Sequence, residues 1–400
     1  MQLLYISCYQ FSNEEGKIKA LPAYGDQFWK KYLDVFDSVQ VLGERVKDYL
    51  NNGMLTTLTN PLVTIDIIPG NTNPKDFIHD QEIKKILEVN IKNAEAVIIK
   101  PSSRKGMMAI RLAEKYHKPY MVELTGDLNL TLMMHPNLLK RMYGPYLHKR
   151  IVKAIKNAPF GLYVTEKYLQ KVYPIAGKQC GASNVFVESI SEDVLESRCR
   201  KISSMEMDDP LQIGLIGSYH DTRKGIDTAV QALADVCAQR PNTFLNILAL
   251  GVEEDRKKWM QYAQQFGVQE HLKFPPSCDT TQKVLEWIDT QDIIILPSRS
   301  EGLPRCVVEA MSRGCPCITS DVCGMPELIQ KKWLHAPGEA QRLAELILEM
   351  SESKNNMTDA AKENFKNAKR FLRSAINKRR NAFFTEFKEY CLSCKETERS

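Results

Sequence analysis

Nowhere in its 400 residues does this chain carry an apolar run approaching the roughly 18 residues of a membrane-spanning helix. Met1 leads directly into LLYISCY with no basic flank and no cleavage signal, so the expectation is a chain neither exported nor embedded. The basic residues form no patch interleaved with aromatics and match no nucleic-acid-binding module, which argues against a nucleic-acid partner. The 11 cysteines, an odd number scattered through apolar runs, suit reduced thiols better than a disulfide framework. Cys306, Cys315, Cys317 and Cys323 lie close in sequence but lack the paired short spacings of a zinc site, and two of them fall in predicted core. Cys391 and Cys394 make a C-x-x-C with no second pair and no neighbouring strand, so no metal or redox site is expected there.

What is present describes an ordinary globular protein, 43% hydrophobic and 26% charged, and long enough for two or three domains. The net charge of +5 is unevenly placed. Residues 1–190 carry roughly +7, residues 191–353 roughly −8 and residues 354–400 roughly +6. Basic ends suit solvated faces, or contact with anionic lipid or a phosphate-linked ligand.

The most informative stretch runs from Ile293 to Glu327, IIILPSRSEGLPRCVVEAMSRGCPCITSDVCGMPE. Four apolar residues end at Pro297, a polar loop follows, and Val307, Val308, Ala310 and Met311 recur at helical spacing until Gly314. The segment from Pro316 to Ser320 is then a second strand, again without polar alternation, as expected of parallel strands covered on both faces. The loop of Ser298, Arg299, Ser300, Glu301 and Gly302 thus sits beyond the carboxyl end of a strand, where such sheets bind ligands. Pro304 suits the first turn of the helix, whose N-terminus favours an anion. Glu301 and Glu309 are eight residues apart, roughly 12 Å at helical rise, against about 5 to 9.5 Å for a hydrolase carboxylate pair. Two separate ligand contacts fit that spacing better.

Glu301, seven residues and then Glu309, set in PSRSEGLPRCVVEAMSRGCPCITS and followed by GMPE, resembles the retaining glycosyltransferases of family 4 (group 1). The resemblance implies an α/β protein of two facing Rossmann-like domains, the GT-B fold. Residues 1–190 would be the acceptor-binding domain and 208–370 the nucleotide-sugar-binding domain. The helix of residues 371–400 would cross back onto the first domain, burying Phe371, Phe383, Phe384 and Phe387; a membrane-surface helix is the competing reading of its basic and aromatic sides. It also implies that Glu309 holds the donor ribose, that Glu301, Gly302 and Leu303 hold the sugar, and that Lys224 of the Lys224-Gly225 pair grips the donor diphosphate. Pro304, Arg305, Ser218 and Gly217 complete the implied donor site. Ser218 and Tyr219 stand where relatives carry an arginine, so Arg223 or Arg299 is expected to substitute. The donor, a UDP- or GDP-linked sugar, is a substrate, and neither cofactor nor metal is expected.

In the first half, QLLYISCYQF reads as a strand, SNEEGKIKALPAYGDQF as a loop in which Gly16 or Gly25 either approaches a ligand or serves a turn, and FWKKYLDVFDSVQVL as helix then strand. YGDQFWKKYLDVFDSVQVLGERV, LYVTEKYLQKVYP and SNV resemble family members that assemble bacterial surface polysaccharides. Arg104 and Lys105 read as contacts to an acceptor phosphate or as exposed loop charges. Asp127 follows the strand PYMVELTGD where many relatives present a histidine. It is either a polar group at the reaction centre or a helix cap, and His135 reads as a nearby loop histidine. NLLKRMYGPYLHKRIVKAIKNA is basic and amphipathic, broken at Gly144-Pro145, and lies on protein core or on anionic membrane. SNVFVES is a final strand, and SISEDVLESRCRKISSMEMDDP a polar linker without period. The expected function is transfer of a sugar to a glycan or lipid-linked saccharide in surface polysaccharide synthesis, in the cytoplasm and in peripheral contact with the inner membrane face. A nucleotide-sugar epimerase and a non-catalytic sugar-nucleotide-binding protein are the other readings.

Overall fold

The computed structural model describes residues 1–46, 55–70, 78–135 and 137–399. The turn expected at Asn52 and the loop expected at Asn73 lie outside the described residues. The chain divides into two units: Met1–Asn129, Leu139–Ala182 and Asn377–Ser400 form the first, Leu130–Leu138 and Ser183–Ile376 the second.

The first unit opens with strands β1 (Gln2–Glu14) and β2 (Lys17–Ala20), helix α1 (Asp26–Leu33) and strands β3 (Ser38–Arg45), β4 (Thr56–Thr57) and β5 (Val63–Ile68). Helix α2 (Asp80–Asn93), β6 (Ala96–Ile99), α3 (Arg104–Lys115) and β7 (Tyr120–Leu124) follow. Then come α4 (Leu128–Met133), α5 (Leu138–Ile155), β8 (Phe160–Tyr163), α6 (Tyr168–Val172) and β9 (Lys178–Gly181). The parallel strands run β5-β3-β1-β6-β7-β8-β9, and β2 and β4 add antiparallel to the far end of β1. Burial follows from this layering: every residue of β6, β7 and β8 is buried, because helices cover both faces.

The stretch read as a loop after the first strand is instead a β1–β2 hairpin. Glu15 and Gly16 have φ of 52° and 79°, as a two-residue hairpin turn of the tightly twisted type requires, so Gly16 serves a turn. Its second strand is only four residues long, too short for the alternation of Lys17 and Lys19 with Ile18 and Ala20 to stand out. Arg104 and Lys105 differ from their expectation too, since Lys105 is fully buried, 3.1 Å from the Glu44 carboxylate, and Arg104 faces Asp80 at 3.5 Å. α5 runs unbroken through Pro145. Its buried residues Gly144, Leu147, Ile151 and Ile155 lie on both sides of that proline, so packing offsets a penalty of about 3 kcal/mol.

In the second unit α7 (Glu192–Ser204) precedes β10 (Leu211–Ser218), α8 (Ile226–Gln239), β11 (Thr243–Leu250), α9 (Glu253–Gln265) and β12 (Leu272–Lys273). Next come α10 (Thr281–Thr290), β13 (Ile293–Leu296), α11 (Arg305–Ser312), β14 (Cys317–Ser320) and β15 (Leu334–His335). Helices α12 (Ala340–Ser351), α13 (Lys354–Ala368) and α14 (Arg373–Arg399) complete the chain. The sheet is wholly parallel, in the order β12-β11-β10-β13-β14-β15. Chain direction across the sheet reverses between β10 and β13, the switch point at which doubly wound sheets bind ligands. α14 carries the chain back, and Phe383, Phe384 and Phe387 are buried in the first unit, where Phe384 stacks on Tyr32 at 5.4 Å. Phe371 is buried in the second unit.

Two expectations between the sheets differ. SNVFVES forms no strand; Val187 makes a single parallel bridge to Leu372. The supposed linker holds α7, which buries Ile202 and is anchored by polar atoms: the buried Arg198 guanidinium donates to the carbonyls of Ile288, Gln291 and Arg313, and Lys201 to those of Asp289, Thr290 and Gln291. These include unpaired carbonyls at the end of α10, which helix geometry leaves open. Arg198→Met therefore removes three charge-assisted hydrogen bonds and leaves the Arg313 carbonyl without its guanidinium donor, and urea unfolding is expected to find the second unit about 1–3 kcal/mol less stable, whereas a change within experimental error would remove Arg198 as the anchor of α7.

Candidate functional site

The loops after β10 and β13 meet at the switch point, and one glycine permits it. Gly225 starts α8 with φ 71° and ψ 31°, and a Cβ there would stand 2.1 Å from the carbonyl oxygen of Pro297. Both the left-handed backbone and the close approach exclude a side chain. Next to it, the Arg299 amide donates to the Arg223 carbonyl at 2.7 Å, stitching the loops together through backbone.

This places the Lys224 ammonium 2.6 Å from Glu301 Oε1, which also accepts from the Ser298 hydroxyl at 2.8 Å. The Lys224 stem packs over Gly217, whose absent Cβ would lie 3.2 Å from Lys224 Cγ, and Ser218 follows at the strand end. Burial alone would lower the Lys224 pKa, but the Glu301 carboxylate, with smaller help from Cys306 and Asp221, raises it above the ordinary lysine value. Lys224 is thus a half-sheltered, permanent cation beside a strand end. Below it, burial pushes the Cys306 thiol up to about 12 against the pull of Lys224, so this cysteine is no thiolate nucleophile.

The expected arginine substitutes are both already engaged. Arg299 donates to both oxygens of Asp227, at 2.8 and 2.6 Å, and Arg223 makes the same two-pronged contact with Asp221 at 2.8 Å each. Bidentate pairs of this kind hold their geometry. Asp221 and Asp227, absent from the sequence reading, therefore brace the loop; the signal was an acid two residues before one arginine and another just inside α8.

Pro304 sits one position earlier than expected, as the residue preceding α11, after Gly302 and Leu303. Glu309 is buried on α11 and accepts from Arg305 Nε at 2.8 Å, while Arg305 Nη2 donates to Thr281 at 3.1 Å. The start of α10 thereby reaches the same site. Burial raises the Glu309 carboxyl above its usual range, and Arg305 only partly offsets this. Asp127 belongs to the first unit, where it is buried and its two oxygens accept from the hydroxyls of Tyr168 at 2.7 Å and Tyr173 at 2.9 Å. His135 Nδ1 accepts from the Asn137 amide.

Residues 204–368 match the model of the glycosyl transferases group 1 family. Over these residues the second unit resembles the group 1 glycosyltransferases. Protein CapJ of Staphylococcus aureus is 28% identical over 92% of this chain and 90% of its own length. A putative colanic acid biosynthesis glycosyltransferase of Salmonella typhimurium is 25% identical over half of each chain. Among solved structures, sucrose-phosphate synthase of Thermosynechococcus elongatus aligns with a TM-score of 0.63 and 15% identity, covering 96% of this chain and 98% of that one. HepE of Anabaena in complex with UDP-glucose aligns at 0.60 and 15%, covering 96% and 100%. The architecture is accordingly that of the two-Rossmann-domain glycosyltransferases, and the match to the family covers the loops that hold Lys224, Glu301 and Glu309.

Two outcomes test this site. Gly225→Ala has to move either the backbone or the Pro297 loop, and calorimetry is expected to find a loss of about 2 kcal/mol or more; unchanged melting would mean that the loops do not meet as described. For Glu309, a carboxyl whose pKa is raised by folding opposes folding when ionised and ceases to do so as pH falls through the raised value. Glu309→Gln is therefore expected to melt no lower than wild type at pH 7, with any advantage shrinking as the pH is lowered.

Proposed function

We propose that this protein is a retaining, metal-independent glycosyltransferase that moves a sugar from a nucleotide-sugar to a glycan or lipid-linked saccharide in the assembly of a surface polysaccharide. The observation that carries the reading is the Lys224–Glu301 pair, braced by Ser298 and set at the carboxyl edge of β10 and β13. A nucleotide-sugar carries a diphosphate that leaves as the glycosidic bond breaks, and a fixed ammonium stabilises the charge that develops on it. Lys224 takes that role once the donor phosphates compete with Glu301 for it. Glu301, released toward the sugar, holds its hydroxyls together with the Gly302 and Leu303 backbone, and Glu309 turns from Arg305 to the ribose hydroxyls.

Electron flow is simple. The bond between the anomeric carbon and the diphosphate oxygen breaks, its electron pair leaving with the nucleoside diphosphate. An acceptor hydroxyl then forms the new bond on the same face and passes its proton to the departing phosphate. Asp127, locked by two tyrosine hydroxyls, is assigned to holding the end of β7 in place on the acceptor side. A polysaccharide acceptor is supported by the relatives, among them colanic acid and amylovoran biosynthesis glycosyltransferases. A UDP-linked donor is supported by HepE, solved with UDP-glucose. Among the described residues no helix is long and apolar enough to cross a membrane, and a cytoplasmic place of action is part of the proposal.

The test is a panel of UDP- and GDP-sugars with a polyprenol-linked acceptor, following melting temperature and nucleoside diphosphate release. Wild type is expected to be stabilised by one donor and to turn over only with acceptor present. Lys224→Ala is expected to lower kcat by about 10²- to 10³-fold and Glu309→Ala to abolish the donor-induced shift. Product release without acceptor would favour an epimerase or a hydrolase, and no response to any nucleotide would leave a binding protein of the same fold at most.

A further inference from the structure

Helix α5 has two apolar faces, and only one of them is covered. Gly144, Leu147, Ile151 and Ile155 are buried. On the opposite side, Leu139, Met142 and Tyr146 are 76%, 70% and 53% exposed, and Tyr143 is exposed beside them. Their spacing of three or four residues places them in one stripe at 3.6 residues per turn. Lys149, Arg150 and Lys153 continue that stripe in the next two turns. A single exposed leucine needs no explanation, but four large apolar side chains in register do.

The charge identifies the occupant. From Leu138 to Lys156 the sequence has six lysines and arginines and no carboxylate, so the helix has no acid of its own to neutralise them. Arg150 even lies over the Tyr146 ring, 5.6 Å from its centre, so cation and aromatic form one surface. An apolar stripe flanked by cations is the pattern of a helix lying in the headgroup region, its apolar side chains entering the acyl boundary while lysine and arginine reach anionic phosphates. A protein partner of matching shape would need an equally acidic and apolar groove, whereas an anionic leaflet supplies both chemistries without one.

We propose that α5 is the docking surface of this protein for an anionic phospholipid leaflet. Because α5 follows β7 in the β–α–β order, its first turns lie toward the carboxyl edge of the first sheet, the edge at which such sheets receive ligands. Docking by this helix therefore brings that edge to the membrane, where a lipid-linked saccharide resides. Only this consequence rests on the transferase reading; lipid binding is measured without any substrate.

The experiment is co-sedimentation of the full-length protein with vesicles of phosphatidylcholine alone and with about one third phosphatidylglycerol. The paired variants are Leu139→Asp with Met142→Asp, and Lys149→Ala with Lys153→Ala. Wild type is expected to bind the anionic vesicles alone and to release at raised salt. The aspartate pair is expected to lower the partition coefficient by about tenfold or more, and each lysine removed by about fivefold. Melting temperatures close to wild type would show both variants folded, all four positions being exposed. Absence of wild-type binding, or equal binding by the aspartate pair, overturns the proposal. Self-association in sedimentation velocity that the aspartate pair abolishes, without vesicle binding, assigns the surface to a second copy and also overturns it.

Discussion

The site in the second unit depends on the closeness of two backbone segments, Gly225 and the carbonyl of Pro297. With 2.1 Å between that oxygen and the point where a Cβ would stand, the β10 and β13 loops touch backbone to backbone. Everything functional there follows from that contact. Lys224 is carried into reach of Glu301, the Arg299 amide reaches the Arg223 carbonyl, and the side chains of Arg223 and Arg299 are left facing Asp221 and Asp227. The three cations are thus set apart by geometry: two arginines are tied in bidentate pairs and one lysine is held by a single carboxylate oxygen and kept charged.

The first unit uses the same topology with different chemistry. Its sheet also reverses direction between neighbouring strands β1 and β6, and there the buried Lys100 ammonium, just past β6, donates to Tyr9 of β1 at 2.8 Å and to Thr125, just past β7, at 2.9 Å. Glu123 accepts from the Tyr5 and Tyr32 hydroxyls, and although burial alone would raise its pKa, Lys31 and Lys100 hold it down at about 2. Such a network is costly to bury unless every member is paired. It keeps this strand edge rigid and polar, whereas the outer face of α5 stays apolar and uncovered.

Much of this was legible in the residues. The unbroken apolar runs at Ile293 and Cys317 meant buried parallel strands, and the Glu301 to Glu309 spacing with its flanking residues carried the family. The same reasoning failed where structure is made by polar atoms. α7 is anchored by arginine and lysine donors, β2 is a strand of only four residues, and Lys105 is buried because Glu44 comes from a distant strand.

By itself, the sequence determined the order of strands and helices wherever burial is apolar, the two-sheet class, and the identity of the loops that would hold chemistry. Those are local properties, set by hydrophobic period and by glycine and proline at fixed places. Only the tertiary structure decided which charges oppose which: that Arg223 and Arg299 are occupied, that Asp127 is locked by two tyrosines, and that half of α5 is left bare. Pairing of charges depends on distances between segments remote in the chain, and these distances exist only once the sheets have assembled.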